Sequence, residues 1–236
     1  MKKQPTLIFA LPEGFEVLRG FVGESEQREM VEKCRELCRI TPLYTPRNEF
    51  SEFNVKLNSF GDYGWFSDRN GFRYLDKHPH VFCPQCEKWT ETGYQCAVCK
   101  IKLIKRKFAP IPEIVRCKML EAATKCKTTL RLETVLMNYY MPGRGKLGKH
   151  KDDTEEDKTA AIITICLGDD CLFGIGGEHY GEAVEYLVLK SGDVVVMSGK
   201  SRLYYHEVAG IIPNTSNLLE KGGRISLTGR QVKSSS

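Results

Sequence analysis

The stretch VEYLVLKSGDVVVMSGKSRLYYHEV, residues 184–208, decides the fold class of this protein. It contains three short runs of β-branched, aromatic and other apolar residues, and turn-forming or charged residues separate each run from the next. Similar runs continue on both sides, and the full set is Leu132 to Tyr140, Ala161 to Leu167, Val184 to Leu189, Val194 to Met197, Leu203 to Val208 and Arg224 to Val232. Many short strands divided by turns predict a β-sandwich or a jelly roll.

Two helices are predicted on the N-terminal side of these strands, and both would pack on the outer face of the sheets. The first spans Ser25 to Ile40, with Ser25 as its cap. Its apolar positions follow helical spacing and are Met30, Cys34, Leu37 and Cys38. The second opens at Pro112, and its predicted apolar stripe is Ile114, Cys117, Leu120 and Ala123.

The rest of the N-terminal region is predicted to be less regular. Residues 1–22 are expected to form an extended arm, anchored by Leu7, Ile8 and Phe9. Residues 41–75 are rich in Asn, Gly, Ser, Asp and aromatic residues, which favours long loops with short strands.

Composition is typical of an ordinary globular protein. Of the 236 residues, 41% are hydrophobic and 28% are charged, which excludes wholesale disorder. This length suits one domain with a large core, or one domain that carries a small insert. The net charge of +5 permits a polyanionic partner but does not require one.

The sequence predicts an intracellular protein of the cytoplasm or nucleus, with no membrane association. The N-terminal apolar run ends at Pro12 and is too short for the core of a signal peptide. Four of the ten cysteines occur in metal-type pairs. A reducing compartment is therefore favoured over a secreted disulfide scaffold.

A candidate metal site begins at His150-Lys151-Asp152. His150 and Asp152 are two positions apart, so their side chains point to the same side of an extended segment. His206 interrupts an apolar and aromatic run and is available as a third ligand. Two histidines and one carboxylate are the ligand set of non-haem iron(II) oxygenases, which leave positions open for a co-substrate and O2. The alternative is a polar loop at residue 150 and a hydrogen-bonded core histidine at residue 206.

The run Arg224-Ile225-Ser226-Leu227-Thr228-Gly229-Arg230 places two arginines on one face of a predicted strand. Such a face is costly to bury unless anions neutralise it, and the two carboxylates of 2-oxoglutarate match the fork of a guanidinium. Asn138 and Tyr140 share a face of another predicted strand and are available to complete a polar pocket. The alternatives are a solvated arginine face and an edge-strand surface.

Together these segments resemble the AlkB family of iron(II)/2-oxoglutarate-dependent dioxygenases. The similarity covers roughly residues 55–75 and 130–231. Its motifs are Asn138-Tyr139-Tyr140-Met141-Pro142-Gly143, His150-Lys151-Asp152, Ser191-Gly192-Asp193-Val194-Val195-Val196, Ser201-Arg202-Leu203-Tyr204-Tyr205-His206 and the strand Arg224 to Arg230. The resemblance implies a double-stranded β-helix, the jelly roll already favoured by the strand pattern.

The resemblance also implies a role for particular residues. His150, Asp152 and His206 would bind iron, and Arg224 and Arg230 would hold the two carboxylate ends of 2-oxoglutarate. The further co-substrate contacts would be Asn138, Tyr140 and Ser226. The stretches Gly64-Trp65 and Gly71-Phe72-Arg73-Tyr74 look like the family's nucleotide-recognition lid, whose rings Trp65, Phe72 and Tyr74 would grip a flipped base. The alternative for Trp65 and Phe72 is core packing.

Three positions depart from the family pattern. Thr154 stands where the bacterial type has an acidic residue, and the adjacent Asp153 is not an evident substitute. Ser226 replaces an asparagine, and Gly229 replaces a bulky residue between the two arginines. These departures bear on base preference more than on the oxidation chemistry.

A zinc site is predicted in a separate segment. Cys83-Pro84-Gln85-Cys86 and Cys96-Ala97-Val98-Cys99 are two knuckles whose four thiolates suit a structural zinc ion in a ribbon. The segment is basic near Lys100, Lys102, Lys105, Arg106 and Lys107 and contains Trp89 and Tyr94. These residues predict contacts with phosphates and bases, whereas a solvated face or a brace for the lid are the alternatives. The remaining six cysteines are expected to be packing residues.

The domain organisation that follows has three parts. Residues 1–75 form the arm, helix and lid, residues 76–107 the zinc ribbon, and residues 108–236 a helix and the catalytic jelly roll. The activity implied is oxidative dealkylation of N-alkylated bases in DNA or RNA by a monomer that uses Fe(II), O2 and 2-oxoglutarate. Aldehyde, succinate and CO2 are the products. The alternatives are the same oxygenase chemistry on a protein or small molecule, and a non-catalytic zinc-containing module that binds nucleic acid.

Overall fold

The computed structural model describes residues 11–234, which form two sheets, two helices and two small hairpins. The predicted anchors Leu7, Ile8 and Phe9 lie outside the described residues. The helices are α1 (Glu24–Ile40) and α2 (Glu113–Lys125). The strands are β1 (Phe15–Leu18), β2 (Lys56–Gly61), β3 (Gly64–Asp68), β4 (Gly71–Leu75), β5 (Val81–Cys83), β6 (Lys88–Thr90), β7 (Thr134–Tyr140), β8 (Leu147–His150), β9 (Ile162–Gly168), β10 (Asp170–Ile175), β11 (Glu185–Leu189), β12 (Val194–Met197), β13 (His206–Ile212) and β14 (Arg224–Arg230).

The two sheets form a jelly roll, as the strand pattern predicts. The larger sheet has the order β1-β12-β9-β14-β7-β2, and the smaller has the order β11-β10-β13-β8. All of their strand pairs are antiparallel. Residues of both sheets share one buried core, so the two sheets pack face to face as in a jelly roll.

Alternation along the strands of the larger sheet builds two cores. On β12, Val194 and Val196 pack toward the helices, whereas Val195 and Met197 pack between the sheets. Strand β14 follows the same rule but carries polar residues on its inner face. Its apolar residues Ile225 and Leu227 join the helix-side core. The arginines at its ends therefore point into the space between the sheets.

The predicted helices are present, with corrections to their details. Gly23, not Ser25, is the N-cap of α1, because its backbone is extended and its N–H donates to the Glu26 carboxylate at 2.8 Å. The buried face of α2 consists of Val115, Met119, Ala122 and Ala123. The predicted stripe is therefore wrong at Cys117 and Leu120, which are both exposed. Since α2 is apolar on more than one side, spacing alone did not reveal which side meets the sheet.

The predicted strand Leu203 to Val208 is displaced toward the C-terminus. A 3-10 turn occupies Gly199–Leu203, and β13 begins at His206. Strands β1, β8 and β10 were not predicted from the sequence. Among the cysteines expected to pack, Cys34, Cys166 and Cys171 are buried, but Cys117 is exposed.

Two hairpins stand beside the jelly roll. The lid hairpin, β3 and β4, follows β2, and the zinc-ribbon hairpin, β5 and β6, follows the lid. The ribbon has a small core of Val81, Leu103 and the cysteines. Within residues 11–234, neither helix is long and apolar enough to cross a membrane.

Candidate active site

His150, Asp152 and His206 converge between the two sheets. The strand pair β8 and β13 places His150 directly opposite His206, with ring centroids 4.4 Å apart. The Asp152 carboxylate lies 3.8 Å from Nε2 of each histidine. All three possible ligand atoms lie within 4.8 Å of one another. Two nitrogens and one carboxylate oxygen in this arrangement can hold one divalent metal ion.

The backbone orients both imidazoles toward this centre. Nδ1 of His150 lies 2.8 Å from the Gly148 carbonyl, and Nδ1 of His206 lies 3.1 Å from the Tyr204 carbonyl. A proton on each Nδ1 leaves the Nε2 lone pair free for a metal. Burial, followed by the charge of His150, lowers the pKa of His206 to about 4, so this ligand is neutral at physiological pH.

A cavity of about 610 Å³ opens from this centre, and its wall includes the inner faces of β7 and β14. Tyr140 pairs with Arg224 in the sheet register, and Asn138 pairs with Ser226. All four residues line the cavity. Because β7 lies between β14 and β2, the alternative of an edge-strand surface for Asn138 and Tyr140 is wrong. The register brings together every residue that the sequence proposed for the co-substrate, except Arg230 at the far end of β14.

Arg224 is a buried cation with an unused donor. It is 1% exposed, and its Nη1 donates to the carbonyls of Asp169 at 2.8 Å and Leu189 at 3.3 Å. Its Nε has no protein partner within the described chain. The alternative of a solvated arginine face is therefore wrong. A buried guanidinium that lines a cavity and meets no carboxylate there fits an anionic ligand.

Arg230 lies in different surroundings, because protein carboxylates already surround it. Its Nη2 lies 2.7 Å from the Asp152 carboxylate, and its Nη1 contacts the Glu155 carboxylate at 3.0 Å. Burial opposes ionisation of Asp152, but Arg230 and the two histidines hold its pKa well below the usual value. Asp152 is thus an anion, as a metal ligand must be. The Arg230 Nε has no hydrogen-bond partner among residues 11–234 and remains available to a ligand.

Glu155 and Arg202 also belong to this buried network, although the sequence alone indicated no role for either of them. Arg202 donates to the Asp152 carbonyl at 2.5 Å and to the Glu155 carboxylate at 3.1 Å. Both residues are 2% exposed. Two arginines flank the Glu155 carboxylate, and their positive charges offset the cost of burying its negative charge. The network therefore holds the segment that carries Asp152 in place. The sequence feature that could have indicated the network is Arg202, in the motif that ends at His206.

The lid places two of its three predicted aromatic residues at the cavity. Trp65 and Phe72 line it and stack on each other, with ring centroids 5.4 Å apart and planes 23° apart. Phe72 is 54% exposed, so core packing does not describe it. Tyr74 lies elsewhere, because it does not line the cavity and its hydroxyl donates to Glu155 at 2.5 Å. Tyr74 thus contacts the buried network rather than the open space.

The cavity wall has two further parts, one that was not predicted and one that was noted only as a departure from the family pattern. One is the loop before β2, which contributes Asn48, Ser51, Glu52, Phe53 and Asn54. The other is Thr154, whose hydroxyl oxygen lies 3.4 Å from Nε1 of Trp65. Loop composition suggested only irregular structure, and nothing local indicated that these residues meet the lid.

The four ribbon cysteines form a cluster with the dimensions of a zinc site. Their sulfur atoms all lie within 4.8 Å of one another, with 3.4 Å between Cys83 and Cys99 and 3.8 Å between Cys86 and Cys96. Four thiolates at ~2.3 Å from one zinc ion lie about 3.8 Å apart, so the cluster fits tetrahedral zinc. Backbone N–H groups of Cys99 and Val98 lower the pKa of Cys96 to about 6, which favours the thiolate.

The ribbon packs on the rest of the chain through its aromatic residues. Trp89 contacts the fully buried His78, with ring centroids 4.7 Å apart, so its ring packs against residues outside the ribbon. The His78 ring meets Tyr44 edge to face at 6.5 Å. The Tyr44 hydroxyl donates to the Trp65 carbonyl at 2.6 Å. A continuous set of contacts thus joins the ribbon to the lid strand.

The jelly roll, the His150, Asp152 and His206 centre and the arginine-lined cavity define a 2-oxoglutarate-dependent iron(II) oxygenase. Comparison with known proteins agrees, since the model of the 2OG-Fe(II) oxygenase superfamily matches residues 14–230. An alpha-ketoglutarate-dependent dioxygenase AlkB homolog of Caulobacter vibrioides is 30% identical over 93% of this chain and 88% of its own. The chain therefore belongs to the AlkB family of iron(II)/2-oxoglutarate dioxygenases.

Two more distant similarities add detail. The tRNA demethylase abh1 of Schizosaccharomyces pombe is 43% identical over 95 residues, which cover 40% of this chain and 31% of that protein. The solved structure of OsALKBH1 superposes with a TM-score of 0.70 at 22% identity, covering 94% of this chain and all of that one. The latter similarity supports the jelly roll.

Proposed function

We propose that this protein oxidatively dealkylates N-alkylated bases in DNA or RNA, using Fe(II), O2 and 2-oxoglutarate. The observation that carries the proposal is the position of the stacked Trp65 and Phe72 at the mouth of the same cavity that contains the metal centre. A flat base can stack on such rings while its alkyl group points to the metal. The relatives' names, an AlkB homolog and a tRNA demethylase, support a nucleic-acid substrate.

Bound Fe(II) would let O2 act as the oxidant: one oxygen atom enters 2-oxoglutarate, which is converted to succinate and CO2, and the other hydroxylates the N-alkyl carbon, which then leaves as an aldehyde and frees the base. The protein positions the reactants. His150, Asp152 and His206 would hold the metal, which with three protein ligands can still take up the co-substrate and O2. Arg224 binds a carboxylate of 2-oxoglutarate through its free Nε, with Asn138, Tyr140 and Ser226 beside it.

We assign the remaining site residues by what they contact. Arg230 orients Asp152 and offers its free Nε to the same co-substrate. Trp65 and Phe72 grip the base, and Tyr74 supports them from the buried network. Thr154 stands beside Trp65, where its hydroxyl can contact a base edge. These roles fit the three-part organisation of residues 1–75, 76–107 and 108–236, and an intracellular monomer in which no disulfide joins any of the ten cysteines within residues 11–234.

The decisive experiment is a methyl-loss assay. Purified protein with Fe(II), O2 and 2-oxoglutarate is incubated with a panel of N-methylated oligonucleotides and oligoribonucleotides, and mass spectrometry follows the loss of each methyl group. At least one methylated base should lose its methyl with matching formation of formaldehyde and succinate. If succinate forms but no oligonucleotide is altered, the oxygenase acts on another class of substrate.

We also propose that the zinc ribbon braces the lid. Two of its cations contact the protein itself, since Lys105 Nζ donates to the Pro79 carbonyl and the Arg106 guanidinium covers the Phe82 ring at 4.6 Å. Trp89 instead contacts the His78 ring, and His78 contacts the Tyr44 ring. The Tyr44 hydroxyl in turn donates a hydrogen bond to the Trp65 carbonyl of the lid strand. Zinc binding would thus stabilise the ribbon and, through it, the position of Trp65.

Trp89→Ala should loosen the lid without disturbing the thiolates. Loss of the Trp89–His78 contact is expected to accelerate amide hydrogen exchange at residues 64–68, while the zinc content stays unchanged. Hydrogen exchange with mass spectrometry measures the first quantity and metal analysis the second. The matched control is Tyr94→Ala, which removes a ring of the same ribbon that is 68% exposed. Equal exchange at residues 64–68 in both variants would contradict the brace.

A further inference from the structure

A pair of tyrosines lies at the rim of the jelly roll, outside the lid. Tyr180 belongs to the loop between β10 and β11, and Tyr205 immediately precedes β13. Their rings meet edge to face, with centroids 5.4 Å apart and planes 86° apart. Tyr180 is 65% exposed, although aromatic side chains are usually buried. Most of its ring is therefore open to a ligand.

Two lysines accompany these rings. The Lys149 Nζ lies 5.1 Å from the Tyr180 ring centroid, and the Lys151 Nζ lies 4.6 Å from that of Tyr205. Lys149 is oriented by the Tyr180 carbonyl and by the Glu182 carbonyl at 2.9 Å. The Glu182 carboxylate accepts a hydrogen bond from the backbone N–H of His179 at 2.7 Å. The lysines thus remain cations directed at rings rather than partners of a carboxylate.

This surface is continuous with the active-site cavity. Lys149 and Lys151 flank the metal ligand His150 in sequence, and both line the cavity together with Tyr205. A base that enters the cavity is joined to its neighbours through phosphates on both sides. The adjoining nucleotides must therefore leave the cavity across its rim, where a ring can stack on a base and an ammonium can meet a phosphate.

We propose that the rim surface of Tyr180, Tyr205, Lys149 and Lys151 binds the single-stranded nucleic acid next to the base being dealkylated. The proposal rests on the proposed function and adds the path of the strand. Tyr180 stacks on a neighbouring base, and Lys151 lies near a phosphate. Stacking does not depend on base identity, so this surface would tolerate any sequence around the alkylated base.

The zinc ribbon offers a closely matched control. Tyr94 is 68% exposed, and Lys102 Nζ lies 5.3 Å from its ring centroid. The two tyrosine–lysine pairs are thus alike in exposure and spacing, but neither Tyr94 nor Lys102 lines the cavity. A general affinity of exposed rings and cations for nucleic acid would affect both pairs equally.

The test uses unmodified, fluorescein-labelled oligothymidylate and the full chain, with fluorescence anisotropy as the readout. Tyr180→Ala should weaken binding about tenfold, the effect of losing one base–aromatic stack. Tyr180→Trp should bind like the unaltered protein, and so should Tyr94→Ala. Unchanged affinity in Tyr180→Ala, or an equal loss in Tyr94→Ala, would overturn the proposal. Thermal unfolding of each variant verifies that these exposed substitutions leave the fold intact.

Salt dependence tests the phosphate contact separately. For a single strand, each lost contact reduces the slope of log affinity against log salt by about 0.7. Lys151→Gln should show this reduction, and Lys102→Gln should not. A reduced slope for Lys102→Gln together with an unchanged slope for Lys151→Gln would place the nucleic acid on the zinc ribbon and contradict the proposal. Because the probe carries no N-alkylated base, these outcomes are independent of whether the methyl-loss assay succeeds.

Discussion

Asp152→Ala is expected to abolish co-substrate turnover, with a loss of more than about a hundredfold. Even the outer partners of metal ligands typically contribute ~10–100-fold to affinity or activity, and Asp152 is the only carboxylate of the three-residue centre. Two imidazoles would remain, and they bind iron(II) poorly without an anionic ligand. Succinate formation measures the turnover, and titration with Fe(II) measures the metal site itself.

The stability of this variant needs its own measurement. Asp152 lies 2.7 Å from Arg230, so its removal takes one of two carboxylates from a buried cation. Glu155 remains paired with Arg230 at 3.0 Å, and we therefore expect the fold to survive with a lower unfolding temperature. Asp153→Ala is the control, since Asp153 is adjacent but outside the triad. Near-normal succinate formation by a folded Asp152→Ala variant would reject the metal assignment.

Arg224→Gln should weaken 2-oxoglutarate binding about ten- to a hundredfold. Hydrogen bonds to charged groups contribute roughly 1.5–3 kcal/mol, and each 1.4 kcal/mol corresponds to about tenfold in affinity. Arg224 is the buried cation of the cavity that meets no carboxylate among residues 11–234, so 2-oxoglutarate would supply its counter-charge. Isothermal titration of the metal-loaded protein with 2-oxoglutarate gives the dissociation constant.

The Fe(II) affinity of the same variant shows whether the effect of Arg224→Gln is specific to 2-oxoglutarate binding. Arg224→Gln should leave the Fe(II) affinity nearly unchanged, because Arg224 does not contact the triad. The comparison variant is Arg19→Gln, which removes an arginine paired with Asp193 away from the cavity. A dissociation constant for 2-oxoglutarate that stays the same in Arg224→Gln would exclude Arg224 as its anchor.

Several features could be predicted from local sequence because their physical cause is local. Short apolar runs separated by turn-forming residues predicted six strands of the jelly roll. Alternation then placed the polar residues of the last of these strands on one face, since side chains of a strand point to opposite faces in turn. The i and i+2 spacing of His150 and Asp152 placed them on one side of the chain. The two Cys-x-x-Cys knuckles similarly predicted four sulfurs at zinc-site distances. In each case the partners are close in sequence, or repeat with the period of one element.

Tertiary structure decided the features that depend on residues far apart in the chain. Arg230 meets Glu155 and Tyr74 only because the sheet closes across 75 and 156 residues of sequence. This closure makes Arg230 a partner of Asp152, whereas the sequence indicated the same role, binding of a 2-oxoglutarate carboxylate, for Arg224 and Arg230. The sequence did not indicate that Trp89 packs against His78 or that Tyr180 is exposed, because nothing local to an aromatic residue shows which surface it will contact. Periodicity therefore determined which face of each strand is apolar, while the packing of one sheet on the other determined which polar residues share the cavity between them.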